Sequence, residues 1–153
     1  MTYAILTTGE IVNALGRFGV NANAIMFADE TYILPEEWWV KTTFAQAWEL
    51  TKAILHTNDY RPLTNDCDDF ARLCAAYAQL LNNATILKLG IADASLAFGE
   101  FWYESAEGPH AINAYIYPVG TGKEVGIGFI EPQNGQTLDL TPNEIRSCSL
   151  LRL

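Results

Sequence analysis

Positive charge is what this sequence has least of: nine Lys and Arg stand against eighteen Asp and Glu in 153 residues, a formal net charge of −9. No stretch gathers the nine together. A protein that holds nucleic acid concentrates cationic side chains against the phosphates, so a nucleic-acid partner is not expected, and neither is an anionic membrane. Long apolar runs are missing as well. Met1 to Leu6 has no basic start and is too short for a secretory signal, and no later segment approaches the roughly 20 apolar residues that span a bilayer. The expected location is the cytoplasm. Cysteine is sparse and odd in number, with Cys67, Cys74 and Cys148 in no metal-ligand spacing and only His56 and His110 to join them. That composition argues against a disulfide framework and against zinc, so neither metal nor cofactor is expected. Repeats and low-complexity tracts are absent too.

Hydrophobic residues are abundant, at 50% of the chain, with 12% aromatic and 18% charged. Such a chain can bury a core, and its length suits one domain spanning 1–153. The first half reads as helical and the second as strands, which implies an α+β class. A capping box, Thr7-x-x-Glu10, opens a helix carrying Ile11, Leu15 and Phe18 and ending near Gly19. A second helical region begins at Glu36 to Trp39, its main body opening at Thr43-x-x-Gln46 with Phe44, Ala47, Trp48 and Leu55 on one face. His56 falls at its frayed end, where an imidazole suits the helix C-terminus better than a chemical role. After a loop-like stretch from Thr57 to Asn65, a third helix takes Asn65 or Asp66 as its cap and carries Phe70, Leu73, Cys74, Tyr77 and Leu81, ending near Asn82. Strands are expected over Thr85–Ala92, Phe98–Tyr103, Ala111–Tyr117, Val125–Ile130, Thr137–Leu140 and Ser147–Leu153. The expected architecture is a central helix packed on a mostly antiparallel sheet.

Chemistry gathers in two places. Cys67 stands in the first turn of the third helix, where the helix dipole and unpaired backbone N–H groups favour a thiolate and can hold an oxyanion. The acidic neighbours Asp66, Asp68 and Asp69 work against this unless they cap the helix or pair with Arg61 or Arg72. The second place is a hairpin. A turn centred on Gly120 and Thr121 sets His110 opposite Glu131, with Ile112, Ala114 and Ile116 sharing a face with Val125, Ile127 and Phe129. That apolar face suits the third helix, and Asn113, Tyr115, Tyr117, Gly126 and Gly128 take the other. A trio of Cys67, His110 and Glu131 would attack a carbonyl, shuttle the thiol proton and orient the imidazole, respectively.

These residues resemble a family. Asp66-Cys67-Asp68-Asp69-Phe70-Ala71 is similar to the nucleophile motif of bacterial transglutaminase-like cysteine peptidases, and His110-Ala111 and Glu131-Pro132 resemble that family's His strand and acid-Pro strand end. The resemblance spans about Tyr60 to Leu140 and follows the order Cys, His, acid of the papain and transglutaminase superfamily. It implies a papain-like/transglutaminase-like fold and thiol acyl chemistry on peptide, isopeptide or glutamine amides, without a cofactor. Glu131 stands where these families usually carry Asp or Asn. No glutamine stands a short way before Cys67 to complete an oxyanion hole of the papain kind, so Asn65 or the backbone N–H of Cys67 would serve, with Asp66 as helix cap.

The first functional expectation is therefore a cysteine-dependent hydrolase or acyltransferase with a peptide or protein substrate. The alternative is a papain-like module with reduced catalysis that binds a peptide or protein partner, for which Trp38, Trp39, Trp102 and Tyr103 are the aromatic anchors to watch. A small structural protein, in which the cysteine motif is only a capped helix, is the third.

Overall fold

The computed structural model describes residues 4–55, 66–89, 94–121 and 124–153, with side chains in the second segment described as far as residue 84. The Thr7 hydroxyl accepts from the Glu10 N–H while the Glu10 carboxylate reaches back to Thr7, closing the capping box that opens α1 (Thr8–Arg17). Ile11, Ala14 and Leu15 are its buried stripe, and Gly19, at a φ of +87°, ends it. The second helical region is one rod made of α2 (Glu37–Trp39), a π-turn (Val40–Phe44) and α3 (Ala45–Leu55). The wide turn rotates the later residues, so Val40, Phe44, Ala45, Trp48 and Lys52 face inward while Leu55 is 52% exposed. Thr43 and Gln46 are therefore interior to the rod and cap nothing.

Asp66 O accepts from Phe70 N at 3.1 Å, which makes Asp66 the residue that begins α4 (Cys67–Leu89). The helix runs past Asn82 through the first half of the expected Thr85–Ala92 strand; the rest of that segment, His56, the expected loop from Thr57 to Asn65 and with it the candidate cap Asn65 lie outside the described residues. Short strands come early, at β1 (Ile5–Thr7), β2 (Ile25–Met26), β3 (Thr31–Ile33) and β4 (Ser95–Leu96). Longer ones follow at β5 (Phe98–Ser105), β6 (Gly108–Pro118) and β7 (Val125–Glu131), then β8 (Gln136–Leu138), the capped turn α5 (Pro142–Arg146) and β9 (Leu150–Arg152).

Two sheets result: a three-stranded one in the order β1-β3-β4 and a six-stranded one in the order β2-β9-β5-β6-β7-β8. The larger sheet is antiparallel except where β2 and β9 run parallel. It is covered on both faces. One face packs Phe101, Ile112, Ala114, Ile116 and Phe129 against Ile11 and Leu15 of α1. The other packs Phe98, Tyr115 and Ile130 against Phe70, Cys74 and Ala78 of α4 and Phe44 and Trp48 of the second rod. No helix of the described residues is long and apolar enough to cross a membrane.

The α+β, papain-like/transglutaminase-like reading is corrected here. The fold is strand-rich, with nine strands among the described residues in two sheets, and α4 lies on the face opposite to the one expected. The apolar stripe of Ile112, Ala114 and Ile116 takes α1 instead, while Asn113 Nδ2 on the other face donates to Ala71 O of α4 at 2.8 Å. Apolar side chains occupy both faces of β6, so alternation alone did not say which helix belongs to which.

Candidate functional site

Of the three residues singled out around the thiol, the structure joins two. Tyr117 pairs with Gly126 and Asn113 with Ile130, a register two residues from the one expected, because the β6–β7 turn is longer than a two-residue hairpin. An even shift keeps every side chain on its face. His110 is therefore not directly opposite Glu131, yet His110 Nε2 lies 2.8 Å from Glu131 Oε2. The second Glu131 oxygen accepts from Gln133 N at 3.1 Å, so the carboxylate is held from both ends. The loop behind it is tied to the second helical rod: Trp48 Nε1 donates to Pro132 O at 2.6 Å, and the buried Lys52 ammonium donates to Gln133 O. Lys52 also pairs with Glu49 at 2.7 Å and lies over the rings of Trp48 and Phe70.

Cys67 is half-buried at the head of α4, the helix that covers the Phe98, Tyr115 and Ile130 side of the sheet, whereas Tyr103, paired with His110, belongs to the core of the other side. His110 packs its ring edge-on against Tyr103, with centroids 6.0 Å apart. The carboxylates around Cys67 form their own cluster. Ligand atoms of Asp66, Asp68 and Asp69 lie within 4.8 Å of one another, and Arg72 pairs with Asp68 at 3.0 Å and Asp69 at 3.4 Å. A hydrogen bond with Asp66, followed by burial, raises the Asp68 carboxyl above its ordinary value. Phe70, Ala71 and Cys74 are packed against the sheet. Burial pushes the Cys74 thiol well up and the Cys148 thiol to about 11, so both are inert beside Cys67. Of the aromatic anchors, Trp38 is 54% exposed, Trp39 and Trp102 are half-buried, and Tyr103 is core.

A second site, not anticipated from the sequence, lies at the β8 end of the large sheet and takes its lining from both faces, Tyr115 and Tyr117 from one and Ile127 and Phe129 from the other. It is a pocket of about 230 Å³ whose walls include Glu37, Lys41, Tyr115, Tyr117 and Asp139. Glycines build it. Tyr115 lies opposite Gly128 and Tyr117 opposite Gly126, and a Cβ on either glycine would come within 2.3 Å of the facing ring. Each ring thus lies flat over its neighbouring strand. Lys41 Nζ sits 2.6 Å from Glu37 Oε1, and that contact raises the ammonium. Burial, then the charge of Glu37, raises both phenols, Tyr115 beyond the ordinary range and Tyr117 less, so both stay protonated donors. Tyr115 Oη is buried with no hydrogen-bond partner among the described residues. The signal was present in the alternation of Tyr115-x-Tyr117 against Gly126-x-Gly128, but nothing in one sequence says that a helix carrying Glu37 and Lys41 closes over them.

No protein-family model and no curated protein sequence matches the chain. Solved structures do. A PSL1a–E64 complex superposes with a TM-score of 0.69 at 19% identity, covering 97% of this chain and 50% of that one. A crystal structure of Polyporus squamosus lectin bound to the human-type influenza-binding epitope Neu5Acα2-6Galβ1-4GlcNAc superposes with a TM-score of 0.65 at 18% identity, covering 97% and 49%. The likeness is one of fold, and this chain spans about half the length of each of those chains.

This overturns the earlier resemblance. The structures that share the fold come from a lectin, not from a transglutaminase-like or papain-like cysteine peptidase, and no family model supports the peptidase assignment. The cysteine-hydrolase or acyltransferase function, its reduced peptide-binding alternative and the peptide or protein substrate fall with it. The physical reason is that the motif is explained by its own helix: Asp66 begins α4, Asp68 and Asp69 pair with Arg72, and Phe70 and Ala71 fill the core. A six-residue pattern that satisfies capping and packing carries little information about chemistry.

Proposed function

We propose that this chain is a carbohydrate-binding module and that the tyrosine-lined pocket is its site. One observation carries this reading: the Tyr115 hydroxyl is buried at the pocket wall without a partner among the described residues, beside a second tyrosine and two carboxylates. A buried hydroxyl left unpaired costs stability, and a ligand hydroxyl would satisfy it. Sugars present an apolar C–H face to aromatic rings and a rim of hydroxyls to carboxylates, which is the mixture these walls offer. The pocket is smaller than the roughly 300–1,000 Å³ usual for drug-sized ligands, a scale that fits one sugar ring. The likeness to a glycan-bound lectin supports the ligand class, and the chain spans about half the length of that lectin. Titration calorimetry following a glycan array is the test. Binding that is lost in Tyr117→Ala supports the reading, and an array without a single bound glycan ends it.

A second reading attaches to Cys67, His110 and Glu131, because one of the structures that share the fold holds E64, an epoxide that reacts with thiols. We infer that these residues form a thiol-bearing ligand site, in which the Cys67 sulfur opens the epoxide and the released alkoxide takes a proton. The His110–Glu131 pair, 2.8 Å apart, is the proton-carrying group this reading uses. Incubation with E64 and mass analysis tests it. One adduct, absent in Cys67→Ala and slower to form in His110→Ala, is the expected result; an unlabelled Cys67 removes this reading and leaves the first untouched.

A further inference from the structure

We propose that the tyrosine pocket selects uncharged saccharides and rejects sialylated ones, in contrast to the acidic epitope held by the lectin of the same fold. For its ligand class this rests on the carbohydrate reading above. The selectivity itself rests on the charges that face the pocket from each of its walls. The helical rod supplies Glu37 and Lys41, β6 supplies Tyr115 and Tyr117, and the segment after β8 supplies Asp139.

Two of these groups are carboxylates and one is a cation, and that cation is already engaged. Lys41 Nζ stands 2.6 Å from Glu37 Oε1, with both side chains partly exposed, so its charge is neutralised where a ligand would need it. Asp139 is exposed at the rim and reaches Lys41 and Tyr115 electrostatically. A sialic acid carboxylate entering here meets Asp139 and Glu37, with no uncommitted positive group on the pocket walls among the described residues. The surroundings reinforce this, since the chain carries a net charge of −9 and repels anions at longer range.

Neutral sugar hydroxyls meet a different environment. Both tyrosine hydroxyls are protonated and can donate, Tyr115 Oη has no partner of its own among the described residues, and the carboxylates accept from hydroxyl groups. Tyr117, flat above Gly126 and only partly buried, leaves one ring face for the sugar, while the buried Tyr115 offers its hydroxyl alone.

The experiment compares the trisaccharide Neu5Acα2-6Galβ1-4GlcNAc with its desialylated disaccharide Galβ1-4GlcNAc by calorimetry, alongside an array of neutral and acidic glycans. The expected result is binding of the disaccharide, or of other neutral glycans on the array, with sialylated counterparts at least ~10-fold weaker, as like charges in a semi-exposed pocket require. The gap is expected to narrow in Asp139→Asn. Sialylated glycans that bind equally well or better overturn the inference while leaving the carbohydrate reading in place. Neutral-glycan binding that survives both Tyr115→Phe and Tyr117→Ala unchanged moves the site elsewhere and overturns it too. If no glycan of either kind binds, the carbohydrate reading itself fails and the inference goes with it.

Discussion

A single hydroxyl separates the ligand-free cost of the pocket from its use. Tyr115 is fully buried, yet its Oη has no partner among the described residues, so the folded protein bears the desolvation of that group. Tyr115→Phe keeps the ring over Gly128 and is expected to raise stability by about 1 kcal/mol in a denaturant titration while weakening saccharide binding. A purely structural tyrosine would not show that opposition. Asp68 offers a second residue-scale test. Its carboxyl is raised in the folded state, first by the hydrogen bond with Asp66, so the native protein binds the proton more tightly than the unfolded chain. Stability from this group therefore rises as pH falls through its folded value, and the ionised form is a cost at neutral pH. Asp68→Asn is expected to raise stability at pH 7 and to remove this part of the acid-side gain; the lost pair with Arg72 is half-exposed and worth little. Denaturation midpoints of both proteins from pH 7 down to pH 4 would show it, and parallel profiles would contradict it.

Among the elements, the second helical rod reaches both candidate sites, as β6 and β7 also do. Its first part brings Glu37 and Lys41 to the tyrosine pocket, and its last turns bring Trp48 and Lys52 to the loop behind Glu131. The π-turn between them sets the phase that makes both contacts possible. Lys52 is 1% exposed and stabilises a loop carbonyl, so its removal strands polar groups in the interior. Lys52→Ala is expected to cost about 3 kcal/mol, in the range for breaking one side of a buried pair. Because Gln133 N holds one oxygen of Glu131, the same change should also move the His110 ring resonances in an NMR spectrum. A destabilised protein with unmoved His110 signals would mean that the loop does not position the pair.

At the scale of the molecule, the edge of the large sheet depends on one close approach. A Cβ on Gly99 would lie 1.7 Å from the Arg152 carbonyl oxygen, a backbone atom that cannot step aside without parting β5 from β9. Leu151, wholly buried, belongs to that last strand, and β2 pairs with it in parallel. Gly99→Ala is expected to lose more than about 3 kcal/mol, or the cooperative transition altogether. Gly16 is the control. It sits in α1 with nothing within 4 Å of an added Cβ, so Gly16→Ala should stabilise by up to about 1 kcal/mol. Thermal melts of the two variants, moving in opposite directions, would check the sheet edge and the helix together.

By itself the sequence determined what rests on neighbours in the chain. The capping box at Thr7 and Glu10, the start of α4 at Asp66, the long strands from Phe98 to Glu131 and the faces of the β6–β7 hairpin follow from caps, periodicity and turn residues, which act over three or four positions. Even the meeting of His110 with Glu131 was legible, because a register error of two residues keeps the face. The short strands at Ile5, Ile25, Thr31 and Ser95 were not, since two- and three-residue strands are made by partners distant in sequence. Nor was the choice of α1 or α4 for each side of a sheet that is apolar on both. The family reading failed for a related reason: Asp66 to Ala71 satisfies a helix start and a core whatever the protein does. Tertiary structure alone brought Glu37, Lys41 and Asp139 around Tyr115 and Tyr117, because that pocket joins groups from elements up to about a hundred residues apart, and only packing decides which of them meet.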